Sequence, residues 1–201
     1  MRTSDNGIKL LQEFEGCVLS AYKPVKQEKY YTIGYGHCGP DVKPDMKITK
    51  LEAIELFRKD LIYFENCVNS KNITLTQNQF DALVCFTYNC GVGCLNTLVK
   101  NRTINQIGGA LVLYNKDATG NVNQGLVDRR KKEQELFFKD FCGEKYEVTA
   151  SLLNVRYGPG THYGIVGRFS KGSVVTVEEI TKTGWGLTSS GFVCMQYLRK
   201  R

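Results

Sequence analysis

Residues 14–37 run Phe14-Glu15-Gly16, through Tyr22 and Pro24, to Tyr30-Tyr31-Thr32-Ile33-Gly34-Tyr35-Gly36-His37, and over that span the pattern changes from helix to strand. Ile8, Leu11 and Phe14 recur every three residues, Asp5 offers an N-cap, and Gly16 stands where a helix usually stops. The spacing predicts a helix whose last residue is Glu15. A carboxylate in the last turn faces the negative end of the helix macrodipole, which disfavours its charged form. Partial burial beside Phe14 acts in the same direction. Both effects suit a carboxylic acid that keeps its proton until it donates it. Taken alone, a helix-end Glu is more often a solvated side chain.

The segment that follows changes that balance. Tyr30, Tyr31, Thr32, Ile33 and Tyr35 are strong strand formers. Gly34 and Gly36 permit tight bends or a close approach of backbone to a ligand. A helix ending in Glu, followed by a small sheet rich in Tyr, Thr and Gly, is the layout of a saccharide cleft. Phe14-Glu15-Gly16, Ala21-Tyr22-Lys23 and Tyr31-Thr32-Ile33-Gly34-Tyr35-Gly36-His37 together resemble the phage-type lysozymes of glycoside hydrolase family 24. That resemblance implies Glu15 as the catalytic acid and Thr32 as the residue that positions the attacking water. The family pattern runs Glu, eight residues, an Asp or Cys, five residues, Thr. Here the ninth position after Glu15 is Pro24, and Thr32 comes two residues late. The second carboxylate is therefore missing from its expected place. Glu28, in the inserted turn among Lys26, Gln27 and Lys29, is the candidate replacement, with an exposed turn residue as the plainer reading.

Composition is that of an ordinary globular chain: 42% hydrophobic and 23% charged over 201 residues, enough for one domain or two. No apolar run is expected to reach the ~20 residues of a membrane span. Met1 to Gly7 turns polar at once, without the apolar core of a secretory signal. The expected place of synthesis is therefore a bacterial host cytoplasm. The net charge of +7 suits an anionic partner such as a cell wall. Apart from Arg129-Arg130-Lys131-Lys132, no basic stripe interleaved with aromatics points to nucleic acid. The eight cysteines have irregular spacing and read mostly as small buried hydrophobes, with Cys90–Cys94 as the candidate disulfide. Cys90 and Cys94 have no second Cys pair at zinc-finger spacing, and His37 and His162 are the only histidines, so no metal is expected.

Further along, Thr49-Lys50-Leu51-Glu52 and Thr76-Gln77-Asn78-Gln79 read as capping boxes that open helices, and Thr103 caps another. Gly108-Gly109 inside the third implies close packing against a neighbour. Residues 115–125 form a polar loop, and a last helix is expected from about Leu126 to Phe141. These segments extend the resemblance over residues 7–141, through Asp81-Ala82-Leu83-Val84, a helix end at Tyr88-Asn89-Cys90-Gly91, and Gly125-Leu126, Arg129-Arg130, Glu133 and Leu136-Phe137. On the family pattern Tyr88 and Asn89 line the sugar cleft, with Tyr35 and His37 joining them as substrate-binding residues. The reading from residue type alone leaves Tyr88 as a core aromatic, Asn89 as a helix cap, and Arg129-Arg130 as partners of Glu133. His37 is expected to hold the cleft fold through a carboxylate partner.

Composition shifts at Phe141-Cys142-Gly143-Glu144. Beyond it, short β-branched runs alternate with turns at Gly158-Pro159-Gly160, Lys171-Gly172 and Thr183-Gly184, the pattern of a small all-β barrel. Leu153 to Gly160, Lys171-Gly172, Gly184-Trp185, Gly191-Phe192-Val193 and Tyr197-Leu198 resemble a bacterial SH3-type cell-wall domain, with Phe192 where that family more often has Trp. Such domains bind peptidoglycan stem peptides or cross-bridges, and Tyr157, Tyr163 and Trp185 are the candidate contacts, each equally suited to a core.

The expected architecture is α+β: a mainly helical lysozyme-like domain with a small antiparallel sheet at 1–143, and an SH3-like barrel at 144–201. The expected function is that of an endolysin hydrolysing the β-1,4 bond between N-acetylmuramic acid and N-acetylglucosamine, with no cofactor. Its partner is bacterial peptidoglycan, not nucleic acid, and its release depends on a separate hole-forming protein. The rival readings are a lytic transglycosylase that uses Glu15 alone and a non-catalytic wall binder.

Overall fold

The computed structural model describes residues 1–25, 27–139 and 143–201, so the expected composition break at Phe141-Cys142 lies outside the described residues, as does Lys26. The chain divides into two compact units, Met1–Ile73 and Thr74–Arg201.

In the first unit, α1 (Asp5–Glu15) buries Gly7, Ile8 and Leu11 and stops at Gly16, whose φ of 65° and ψ of −177° suit only glycine. Strands β1 (Val18–Tyr22), β2 (Tyr31–Gly34) and β3 (His37–Gly39) form an antiparallel sheet in that order. β1 was not expected as a strand. It pairs Val18 with Gly34 but Tyr22 with Thr32, so it carries two more residues than β2 between those pairs. The chain peels away there: Ser20 bridges to Lys47, the Ala21 N–H donates to the Met46 carbonyl at 2.8 Å, and the Leu19 carbonyl accepts from Ile48 at 3.0 Å. Helix α2 (Lys50–Asn69) opens on the expected capping box, with the Thr49 hydroxyl accepting from Glu52 N–H and the Glu52 carboxylate accepting from Thr49 N–H. Its inner face buries Ala53, Phe57, Leu61 and Val68, and Ala53 approaches so near to Gly34 that an added Cβ would lie 3.4 Å away.

The second unit begins with α3 (Gln77–Val99), which opens on the Thr76/Gln79 capping box. Gly91 (φ 79°, ψ 169°) breaks it where the sequence places its end, and a further helical stretch then continues to Val99. Contrary to expectation, this helix is long and apolar enough, by length and composition, to cross a membrane. Every residue from Phe80 to Thr87 is buried, as in a core helix. Helix α4 (Ile104–Ala110) is capped by Thr103 and runs into a 3-10 turn, Leu111–Leu113. Helix α5 (Gln124–Phe137) is capped by Asn123, slightly earlier than its apolar pattern suggests. A Cβ on Gly108 would lie 2.6 Å from the rings of Phe137 and Phe138, which accounts for one of the paired glycines.

The tail supplies β4 (Glu144–Val148), β5 (Leu152–Arg156), β6 (Ile165–Ser170), β7 (Val174–Val177), β8 (Glu179–Ile180), β9 (Trp185–Thr188), β10 (Gly191–Cys194) and β11 (Leu198–Lys200). They form two antiparallel sheets, ordered β6-β5-β10-β9-β8 and β11-β4-β7. Alternate residues of β5 and β7 turn inward to a shared core of Tyr146, Val148, Leu153, Val155, Val175, Val177 and Val193. The expected closed barrel is not seen among the described residues, because no ladder joins the two groups of strands.

Candidate active site

Glu15 is the last residue of α1, half-buried, with its Oε1 shut off from solvent. Thr32 lies in the middle strand of the first sheet, paired to Tyr22 on one side and Cys38 on the other, and is only 6% exposed. Glu28 is half-buried. Its N–H donates to the Val25 carbonyl at 3.0 Å, and its own carbonyl accepts from Lys23 Nζ at 2.8 Å. Lys23 in turn lies over the Tyr31 ring, so the connection between β1 and β2 is pinned at both ends.

Tyr35 is 3% exposed, its ring tilted against Phe57 and covered by Lys50. It lies beneath the glycine-rich loop, not on its surface. His37 sits between two carboxylates: Nδ1 is 2.9 and 3.0 Å from the Asp60 oxygens, and Nε2 is 3.0 Å from Asp41 Oδ2. Burial pulls the imidazole down, but the hydrogen bonds and charges of Asp41 and Asp60 outweigh it and leave His37 raised above its ordinary value. The same hydrogen bond to His37 holds Asp41 below the usual carboxylate range. Asp41 follows His37 by four residues, so this partner lay within reach of the sequence; Asp60, on α2, did not.

In the second unit Tyr88 is half-buried and Asn89 is exposed, just before the Gly91 break. Arg130 Nη2 donates to Asn89 Oδ1 at 3.0 Å and to Glu133 Oε1 at 2.8 Å, and Nη1 donates to Cys90 Sγ at 2.6 Å. Arg129 Nε reaches the same Glu133 oxygen at 3.3 Å. Asn89 is thus held by a buried cation and opens onto a groove of about 460 Å3 that also has Tyr114, Lys116 and Asp117 in its walls. The sequence reading passed over these three. For Lys116 and Asp117 the signal was the polar loop 115–125, which Asp117 organises by accepting from Thr119 N–H, Thr119 Oγ1 and Asn121 N–H. The Thr119 hydroxyl bond is the main cause of a lowered Asp117. The seven described cysteines, Cys90 and Cys94 among them, are free.

The phage lysozyme family model matches residues 12–133, a stretch that contains Glu15, Glu28, Thr32, Tyr88, Asn89 and both arginines. The chain belongs to the phage lysozyme family. An endolysin of Bacillus phage PZA is 46% identical over 143 residues, covering 68% of this chain and 55% of that endolysin. The chain therefore spans little more than half the length of that relative. A SAR-endolysin of bacteriophage PS119 is 34% identical over 121 residues, 57% of this chain and 72% of the relative. Among solved structures, the muramidase domain of SpmX from Asticaccaulis excentricus superposes with a TM-score of 0.60 at 30% identity, covering 68% of this chain and 97% of that domain. The fold is accordingly a mixed lysozyme-like one, helices with small antiparallel sheets. The family match stops before the tail, where Tyr157 and Tyr163 stack edge-on at 5.3 Å and Trp185 is half-buried on β9.

Proposed function

We propose that this lysozyme-family chain is an endolysin that hydrolyses the β-1,4 bond between N-acetylmuramic acid and N-acetylglucosamine in peptidoglycan. The observation that carries the reading is the family match across residues 12–133, which includes a helix ending in a half-buried Glu15 and a sheet with Thr32 in its central strand. Glu15 protonates the departing glycosidic oxygen. Thr32 positions water on the opposite face of the ring. Glu28 is the candidate base that accepts the water's proton if the reaction inverts. Tyr88 and Asn89 meet the sugar, with Arg130 fixing the Asn89 amide oxygen. Tyr35 and His37 shape the loop from beneath.

Division of labour follows the sequence motifs: residues 1–143 cut, and the SH3-like tail, 144–201, grips the wall through surfaces that include Trp185. Tethering raises the effective concentration of enzyme on an insoluble polymer. The basic surplus aids encounter with anionic wall polymers and weakens with salt. Helix α3 is built into the core, which supports release through a separate hole-forming protein over anchoring by this helix.

The test is mass spectrometry of muropeptides released by wild type, Glu15→Gln and Glu28→Gln. Reducing-end muramic acid that falls by about 10²-fold or more with Glu15→Gln fits the proposal. Anhydro-muramic products would make the chain a lytic transglycosylase, a reading that Pro24 in the place of a carboxylate favours. No release from wild type, with the protein still sedimenting with walls, would leave a binder.

A further inference from the structure

Tyr22, Tyr30, Tyr31 and Tyr35 lie in or next to the small sheet of the first unit, and three of the four rings already carry a cation. Lys29 Nζ lies over the Tyr30 ring at 5.0 Å, Lys23 over Tyr31 at 5.1 Å and Lys50 over Tyr35 at 5.1 Å, each at cation–π distance. Tyr22, the last residue of β1, differs. It is 38% exposed and, among the described residues, makes no hydrogen bond, ring contact or cation contact. Residues paired directly across an antiparallel ladder turn their side chains to the same face of the sheet, with Cβ atoms about 5 Å apart. Thr32 is paired to Tyr22 on one side and to Cys38 on the other, so the three form one row across the sheet. Thr32 is buried and both its neighbours are exposed, so Thr32 lies at the floor of that row with the open tyrosine beside it.

We infer that Tyr22 is a substrate-positioning residue whose ring stacks on the pyranose that receives the water held by Thr32. This rests on the proposed function, which puts a glycan over Thr32. The ligand class follows from shape. In a β-1,4-linked sugar of gluco configuration the ring substituents are equatorial, which leaves axial C–H groups and flat apolar faces. An open tyrosine ring offers the matching flat apolar surface, with its phenol at the rim for a sugar hydroxyl or solvent. On Tyr30, Tyr31 and Tyr35 a lysine already occupies a ring face. The β1 bulge decides which residue serves, since it sets an aromatic opposite Thr32 where a regular ladder would set Ser20. A sugar held against that ring keeps its anomeric carbon at a fixed place relative to the water on Thr32, which is what positioning contributes to rate.

The experiment titrates a peptide-free tetrasaccharide of alternating N-acetylglucosamine and N-acetylmuramic acid into the full chain carrying Glu15→Gln, followed by calorimetry and NMR. Tyr22→Val and Tyr22→Phe are added to that parent, with Tyr63→Ala as a control on an exposed tyrosine of α2. Valine suits a strand position, and a thermal melt checks that each variant is folded. The expected result is a Kd raised about tenfold in Tyr22→Val and held within about twofold in Tyr22→Phe and Tyr63→Ala. NOEs between the ring protons at position 22 and axial sugar protons are expected in the parent and in Tyr22→Phe, a contact that a merely structural role would not produce. In chains with Glu15 intact, Tyr22→Val is expected to lower kcat/KM on glycan strands by the same factor, chiefly through KM. Equal binding by Tyr22→Val, a loss in Tyr22→Phe as large as in Tyr22→Val, absence of the NOEs, or no binding by the parent each overturns the inference. Failure of the proposed function reads differently: the chain with Glu15 intact then releases no reducing-end muramic acid, although the tetrasaccharide still binds through Tyr22.

Discussion

Tyr22 stands opposite Thr32, although Val18, four residues earlier, stands opposite Gly34 only two residues further on. A regular antiparallel ladder would set Ser20 against Thr32. Ser20 bridges to Lys47 instead, and its neighbours Leu19 and Ala21 bond to Ile48 and Met46. The bulge consumes two residues of chain, the same number by which Thr32 is late in the family pattern. A strand can therefore deliver Thr32 to the centre of the sheet without the usual spacing from Glu15.

That placement makes Thr32→Val a clean test. Valine keeps the β-branched shape that suits a buried strand position and removes only the hydroxyl. Wall clearing is expected to fall at least tenfold, equivalent to about 1.4 kcal/mol of transition-state stabilisation, while the melting temperature stays within a few degrees. A variant that clears walls at the wild-type rate removes Thr32 from the chemistry.

His37 gives a pH dependence of known sign. Its folded value is raised above the ordinary 6.5, so its contribution is complete below 6.5 and is lost as pH rises through the raised value. Asp41 is lowered, so its contribution is present above the ordinary 3.8 and is lost as pH falls through the lowered value. The His37–Asp41 contact therefore supports the fold most in the window between those two values. Thermal melts from acid to mildly alkaline pH should show wild type losing stability above about pH 6.5, with His37→Gln flat over the same range. A parallel decline in both proteins would mean that other groups set the slope.

Local signals carried the helices. Thr49 with Glu52, Thr76 with Gln79, and Thr103 each lie within one turn of the partner they bond, so the sequence displays the whole interaction. The pairings that define the site are not local. Nothing near His37 names Asp60, and nothing near Tyr35 names Phe57, so an aromatic in a glycine-rich loop reads as a sugar platform when its ring is packed inward. Tyr157 and Tyr163 likewise have neighbours that the local sequence does not name: Gly109, against the Tyr157 backbone, and Gln106, bonded to the Tyr163 hydroxyl, lie on a helix far back in the chain. β1 was hidden because Leu19, Ser20 and Ala21 pair with a segment after the sheet, leaving no regular alternation to detect.

Two glycines separate backbone strain from overpacking. Gly91 has φ 79° and ψ 169° with no atom within 4 Å of an added Cβ, so Gly91→Ala should cost about 1–3 kcal/mol through conformation alone. At Gly108 the added methyl meets the rings of Phe137 and Phe138 at 2.6 Å, and overpacking costs a similar ~1–3 kcal/mol. Urea unfolding distinguishes them in combination with Phe138→Leu. Removing the ring should recover part of the loss at Gly108 and none of it at Gly91.

Arg130 and Glu133 are both fully buried, and Arg129 shares the same carboxylate oxygen. Removing one member of such a cluster leaves an uncompensated charge in a medium that solvates it poorly, at a typical cost of about 3–5 kcal/mol. The two possible deletions are not equivalent. Arg130→Met leaves Glu133 still paired with Arg129, whereas Glu133→Gln strands two guanidinium groups against one neutral amide. Glu133→Gln should therefore be the more destabilising in urea unfolding. Arg130→Met carries a second effect, because it also releases Asn89 and Cys90 from their donor. If Asn89 meets the sugar, the folded fraction of Arg130→Met should show a raised KM on glycan strands, and Glu133→Gln, with Arg130 still reaching Asn89, should show less of it. Equal KM values in the two variants would detach the buried cluster from substrate binding and leave it a device of stability.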